Sequence, residues 1–288
     1  TPINCGREMI TEEMARAKLF AGIEPGSTII PREVVTYGAV EVLKRIEAGQ
    51  YRNGEKVLDV DGAAILKSCE QIGVEFVTPE SPYWPDSFSD LAAPPIALTA
   101  KGDLKLLKAK SLAIVGTRNP TNYGVRIAAD FASGFVDRGW NIISGGAYGI
   151  DAAAHKGALI AEGATIAVLA AGLDIIYPAG HTKLFAEIAE TGLLISEFAP
   201  GVHALPARFL TRNRLIAALG TATVVIEAAF RSGSLRTARD AAEMMRPVMA
   251  IPGPITSPLS EGCHRLIGER AAEIVTSVAD AIEFIGEN

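Results

Sequence analysis

Cysteine is scarce in this 288-residue chain: Cys5, Cys69 and Cys263 are odd in number and far apart. That pattern argues against a disulfide framework or a zinc knuckle and fits a reducing, cytoplasmic setting. No apolar run reaches the roughly 18–20 residues that span a bilayer, and the start lacks the apolar core of a signal peptide, so no membrane partner is expected. Histidine is sparse too. His155, His181, His203 and His264 are scattered, with no H-E-x-x-H and no Cys–His grouping, so no metal site is expected. The G-x-G-x-x-G fingerprint, the G-x-x-x-x-G-K-[ST] loop and the G-x-S-x-G elbow are all missing. Those absences speak against NAD binding, P-loop ATP hydrolysis and serine-hydrolase chemistry, and no cofactor is expected. One further absence is positive in its implication: no acidic residue lies between Glu197 and Glu227.

In the middle of that gap stands FLTRNR, Phe209 to Arg214, preceded by Arg208. Guanidinium groups grip phosphate oxygens through planar forks, and an aromatic ring beside them offers a face on which a base stacks. Net charge is −6, which at first argues against nucleic acid. The surplus acid, however, is N-terminal. Residues 1–100 hold 9 Lys and Arg against 15 Asp and Glu, and the remainder holds 18 of each. Nucleic-acid binding follows the local field rather than the total charge. The plainer alternative is a structural clamp, in which one arginine reaches a phosphate while another pairs internally, for example with Glu227.

The apolar spacing predicts helices through residues 11–48, broken at IEPGSTIIP, and another over Gly62 to Gly73. This helical part is assigned to residues 1–77, either as a bundle without chemistry or as a partner-docking module. A proline-rich crossing follows, Thr78 to Leu98, and residues 78–110 are read as a linker leading into the second domain, 78–288. From Ser111 the pattern becomes strand, glycine loop, helix, repeated: LAIVG, NIISG, TIAVLAAG, LLISEF, TVVIEA and VMAIPG read as strands, with EIVTS as a weak last candidate. Near-continuous apolar strands alternating with helices predict an α/β fold with a doubly wound, mostly parallel, Rossmann-like sheet, which binds ligands at the carboxyl ends of its strands.

Four loops fall at those ends. GTRNPTNYG (Gly116 to Gly124) carries Arg118, with Asn119 or Thr121 available to cap the next helix. SGGAYGIDAAAHKGAL (Ser144 to Leu159) brings backbone amides close to a phosphate, with Asp151 in the first helical turn. AAGLDIIYPAGHTKL (Ala170 to Leu184) turns at Pro178–Gly180. EAAFRSGSLRTA (Glu227 to Ala238) opens a helix at Ser232-Gly233-Ser234. FLTRNRLIAAL reads as the start of a helix, arginines displayed first and an apolar run after. Lys156 and His155 sit one turn into a helix, where a solvated lysine and a packed histidine are the ordinary outcome. Asp151, Asp174 and Glu227 are the available carboxylates, with capping, turn or buried-pair roles as their plainer reading. No catalytic constellation is legible, which favours binding over turnover.

AIVGTRNPTNYG, SGGAYGIDAAAHKGAL, TIAVLAAGLDIIYPAGHTKL, LISEFAPG, FLTRNRLIAAL, VVIEAAFRSGSLRTA, VMAIPGP and GCHRLI occur in order over residues 111–276. Together they closely resemble the DprA/Smf family of DNA-processing proteins of natural transformation. The resemblance implies an extended Rossmann-like fold behind a small helical, SAM-like N-terminal domain. It also implies a homodimer that binds single-stranded DNA without strong sequence preference and loads the RecA recombinase. Carried over from the family, Arg118, Arg212 and Arg214 would face phosphates, Phe209 a base, and Gly145, Gly146 and Gly149 would line the same pocket; Gly116, Thr117, Ser144, Tyr148, Lys156, Asn213, Ser232, Gly233 and Ser234 complete the expected nucleic-acid-binding set. The family's second glycine loop often reads SGLARGID. Here Tyr148 stands where a basic residue is common, which trades one phosphate contact for a ring. The competing expectation is a nucleotide-binding or nucleoside-monophosphate phosphoribohydrolase-like enzyme on a related fold. Such enzymes carry a P-G-G-x-G-T segment before a catalytic Glu, where this chain has EAAFRSGSLRTA.

Overall fold

The computed structural model describes residues 10–51 and 54–286; Cys5 lies outside them. Five helices come first: α1 (Glu12–Gly22), α2 (Ile30–Tyr37), α3 (Ala39–Glu47), α4 (Glu55–Leu58) and α5 (Gly62–Gln71). Local chemistry sets their ends. The Thr11 hydroxyl accepts from the Met14 N–H, and the Asp61 carboxylate accepts from Ala63 and Ala64, satisfying first-turn donors. The sequence predicts a continuous helix after the break at residues 23–31. Gly38, at φ 84°, divides it into α2 and α3. Ala15, Leu19, Phe20, Val34, Val42, Leu43 and Ile46 form the inner face, and Ile96, Ala97 and Ala199 of the following part pack into the same cluster.

The chain then runs through β1 (Glu75–Val77) and β2 (Leu98–Gly102) into a regular alternation: β3 (Ser111–Gly116), α6 (Asn122–Val136), β4 (Asn141–Ser144), α7 (Ile150–Ile160), β5 (Thr165–Leu169), α8 (Thr182–Thr191), β6 (Leu193–Ser196), α9 (Pro206–Leu219), β7 (Ala222–Ile226), α10 (Ser234–Glu243), β8 (Val248–Ala250), α11 (Glu261–Gly268), β9 (Glu273–Ile274) and α12 (Val278–Ile285). The sheet order is β1-β2-β6-β5-β4-β3-β7-β8-β9. Pairing is parallel from β6 through β9 and antiparallel at β1–β2 and β2–β6. The fold is α/β and Rossmann-like. The two antiparallel strands have no counterpart in the sequence reading, because they are short and flank the proline-rich crossing.

Both faces of the sheet are covered, which explains the unbroken apolar strands. On one face Leu112, Ile114, Ile142, Val224 and Met249 meet α6, α7 and α12. On the other Ala113, Val115, Ile143, Ile166 and Val225 meet α9, α10 and α11. From β3 the chain winds outward through β4, β5 and β6, then returns to place β7 on the opposite flank of β3. The winding therefore reverses between β3 and β7, which opens a crevice at their carboxyl ends. Cys69 and Cys263 are buried free thiols. Among the described residues no helix is long and apolar enough to cross a membrane.

Candidate nucleic-acid interface

Gly116 ends β3 opposite Ile226 of β7, so the loops after both strands start side by side at the reversal. Thr121 begins α6 by accepting from the Gly124 N–H. The glycine loop after β4 is stitched to the loop after β3 by the Ile150 N–H, which donates to the Thr117 carbonyl at 3.1 Å. Gly149 makes that approach possible. Its φ is 84°, and a Cβ there would stand 2.4 Å from the Thr117 oxygen. Asp151, one residue into α7, accepts from the Ala147 N–H and closes the loop on itself.

Helix α9 begins at Pro206, where proline's fixed φ suits a first helical residue. FLTRNR therefore lies inside the helix instead of opening it. Its arginines are not displayed together, because residues two apart on a helix diverge. Arg212 points inward and is only 4% exposed. Its Nη1 donates to the carbonyls of Gly145 and Val168, and its Nε has no partner among the described residues. Arg214 turns to a part-buried bidentate pair with Glu197, at 2.5 and 2.7 Å, and donates to the Ala93 carbonyl. Arg208 grips Glu24 at 2.7 and 3.0 Å and donates to the His203 carbonyl. Glu227, the acid expected to hold an arginine, instead accepts from the Thr121 N–H and hydroxyl at 2.8 and 2.5 Å.

Arg118 is different. It is exposed, and its guanidinium makes no hydrogen bond or ion pair with any described residue. Its guanidinium lies over the face of Phe209, 4.9 Å from the ring centroid, a cation–π arrangement that orients the group without consuming its donors.

Phe209 and Arg118 together divide a cleft into two compartments. The first is lined by Gly116, Thr117, Arg118, Asp151, Phe209, Arg212, Asn213 and the Ser232–Ser234 turn, where α10 begins. The second is lined by Arg118, Gly145, Gly146, Tyr148, Tyr177, Pro178 and Phe209. Most of the residues expected from the sequence are thus gathered at one place. Four are not. The Ser144 hydroxyl is buried and donates to the Ile114 carbonyl at 2.6 Å. Gly149 lines neither compartment, Lys156 is exposed outside both, and Arg214 lines a neighbouring cavity with Arg236 and Asp240. The sequence reading placed a turn at Pro178–Gly180 and passed over Tyr177, although an aromatic in a carboxyl-end loop was a legible signal.

The charges behind the cleft are set by burial. Burial pushes the Asp151 carboxyl above its ordinary range, and Arg212 opposes that push. Burial lowers Arg212 to about 10, with Asp151 holding it up, so the guanidinium stays protonated at neutral pH. His155, one turn beyond Asp151, is driven down to about 3 by burial, with His181 and Arg212 adding to the effect. Its Nδ1 lies 2.7 Å from the Thr165 hydroxyl, which itself donates to the Ile142 carbonyl, so the ring is neutral and donates from Nδ1. Among the described residues no His, Cys, Asp and Glu cluster is placed to hold a metal ion. The arrangement supplies one free cation, hydroxyl and amide donors, a helix start and exposed rings, which is the equipment for a phosphate bearing a base.

The sequence profile of the DNA recombination-mediator protein A family matches residues 75–286. The putative DNA processing protein DprA of Mycobacterium tuberculosis is 43% identical over 292 residues, covering 94% of this chain and 75% of that protein. The DNA processing protein DprA of Streptococcus pneumoniae is 39% identical over 228 residues, covering 79% of each. Among solved structures, DprA of Streptococcus pneumoniae superposes with a TM-score of 0.85 at 33% identity, covering 98% of this chain and 100% of that one. DNA processing protein A of Helicobacter pylori, whose structure is described for its single-stranded DNA binding mode, gives a TM-score of 0.66 at 33% identity over 73% of this chain and 94% of that one. With the profile spanning nearly all of the sheet-bearing part and the fold shared end to end, this chain belongs to the DprA/Smf family of DNA recombination-mediator proteins.

Proposed function

We propose that this chain binds single-stranded DNA at the cleft between β3 and β7, without strong sequence preference and without turnover. In this reading it protects incoming strands and loads the RecA recombinase during natural transformation, acting as a homodimer in the cytoplasm. One observation carries the DNA-binding reading: of Arg118, Arg208, Arg212 and Arg214, Arg118 alone has no side-chain hydrogen bond or ion pair to any described residue, and it stands over an aromatic ring at the mouth of the crevice. The family relationship supports it, as does the single-strand binding described for the Helicobacter pylori protein. RecA loading and dimerisation rest on the family resemblance alone.

The test is a titration of labelled oligonucleotide, single- against double-stranded, at two salt concentrations. Phosphate contacts release counterions, so affinity should fall steeply with salt. Arg118→Ala should weaken binding about tenfold or more for every sequence and lower the salt slope. Equal affinity for duplex and single strand would remove the reading. So would steady release of free base from nucleoside monophosphates, abolished by Glu227→Gln, which is the signature of the competing enzyme.

A further inference from the structure

We propose that Arg208 is a positioning residue for strand binding: it holds the start of α9, and with it Phe209, against the loop after α1, so that Glu24 of the helical front sets the geometry of a cleft it does not line. This rests on the single-strand reading above and names a part of the chain outside the cleft that shapes it.

Phe209 is the ring around which the cleft is organised. The guanidinium of Arg118 lies 4.9 Å from its centroid and that of Arg212 5.8 Å, and the Tyr177 ring is 5.5 Å away. Yet Phe209 stands in the first turn of α9, where backbone N–H groups lack intrahelical partners. Leu205, at the N-cap, supplies no side-chain hydrogen bond. Pro206, Ala207 and Leu210 are exposed. Neither a side-chain cap nor the burial of these neighbours fixes this turn.

Arg208 does. Its Nε and Nη2 grip the two carboxylate oxygens of Glu24 at 2.7 and 3.0 Å, and its Nη1 donates to the His203 carbonyl at 2.6 Å. The guanidinium also lies over the Phe198 ring, 4.9 Å from the centroid. All three nitrogens have partners, and Arg208 lines neither compartment. A planar fork held on both sides is a rigid tie. Arg208 and Thr211, three apart, share a face of the helix. Gly26, at φ 93°, turns the front loop onto that face so closely that a Cβ there would stand 2.8 Å from the Thr211 Cγ2. Phe209 and Arg212, also three apart, share the neighbouring face and line the cleft. One helix therefore meets the front on one face and the cleft on the next, and a shift of its first turn moves both.

The sign of one substitution separates positioning from plain electrostatics. Glu24→Gln removes a negative charge, which by itself favours a polyanion. Positioning predicts the reverse: Glu24→Gln and Arg208→Ala should each weaken binding of a labelled twelve-residue oligothymidylate about threefold to fivefold. The salt slope should stay at the wild-type value in both, because no phosphate contact is lost, whereas Arg118→Ala, measured alongside, lowers it. The double variant should bind no more weakly than Arg208→Ala alone, the mark of two residues acting through one contact. Glu24→Gln affinity equal to or above wild type would overturn the proposal. So would additive losses, a lowered salt slope in Arg208→Ala, which would put Arg208 on a phosphate, or a lowered melting temperature with unchanged affinity. If Arg118→Ala weakens binding while the pair has no effect, this inference alone fails; if wild type binds no oligothymidylate, the parent reading falls and takes this one with it. Glu24 is largely exposed, with 61% of its side chain open to solvent, so Glu24→Gln should fold.

Discussion

At the scale of the residue, the arginines near FLTRNR divide into Arg118, whose guanidinium bonds no described residue, and three that are tied into the fold. The sequence brings them together and cannot say which is which, because the distinction depends on carboxylates and carbonyls far away in the chain: Glu24 for Arg208, Gly145 and Val168 for Arg212, Glu197 for Arg214. Removing an arginine tied into the fold has a different signature from removing Arg118. Arg212→Ala leaves two carbonyls without donors and the buried Asp151 without its counter-charge, so it should cost about 2–4 kcal/mol of stability as well as strand affinity. Arg118→Ala should change stability by less than about 0.5 kcal/mol and act on affinity alone. Thermal unfolding and oligonucleotide titration of the two variants side by side read the difference. A stable Arg212→Ala protein with weakened binding would show that Arg212 faces the ligand and does not hold the loop.

At the scale of the element, α7 carries Asp151 and His155 on its buried side, one turn apart. His155 is neutral in the fold, with its affinity for a proton held down to about 3, whereas an unfolded histidine titrates near 6.5. Between those values the unfolded chain binds the extra proton, so stability falls as pH drops from about 6.5 toward 3, by up to about 1.4 kcal/mol per pH unit. Asp151 acts in the opposite sense, its raised carboxyl favouring the fold as pH falls through its own titration. His155→Leu isolates the histidine: its stability relative to wild type should rise steadily between pH 6.5 and pH 5, measured by urea unfolding at each pH. A constant difference would mean that the imidazole protonates inside the fold. Elements of this kind were legible where the chain repeats a simple pattern. The six parallel strands from β3 to β8 show as Ile, Val, Leu and Ala runs, and the loops after them show as glycine clusters. Helix α9 starts about a turn before FLTRNR, at Pro206, because proline makes a good first helical residue and the expected start was set at the arginine segment. Strands β1 and β2 escaped because pairing, not composition, makes three to five residues a strand.

At the scale of the whole molecule, the acidic helical front and the neutral sheet-bearing part are joined through a shared interior. Arg16 of α1 is buried, donates to the Ile96 carbonyl at 3.1 Å and pairs with Glu80 at 2.7 Å. Phe20 packs edge-on against Phe76 of β1 at 5.3 Å between centroids, and Ile96, Ala97 and Ala199 complete the helical core. Detaching the front would expose that apolar surface and strand a buried guanidinium, so the two parts should unfold together. The distribution of tryptophan makes this measurable. Trp84 and Trp140 both lie after the front helices, so fluorescence follows the sheet-bearing part while far-UV circular dichroism sums every helix. In urea the two probes should trace one coincident transition. Arg16→Ala, which removes the link while leaving the Trp84–Phe88 contact of 5.2 Å untouched, should lower the midpoint by an amount equivalent to about 1–3 kcal/mol without splitting the curves. A dichroism loss that precedes the fluorescence change in wild type would mean that the front helices unfold independently and that the shared interior contributes little.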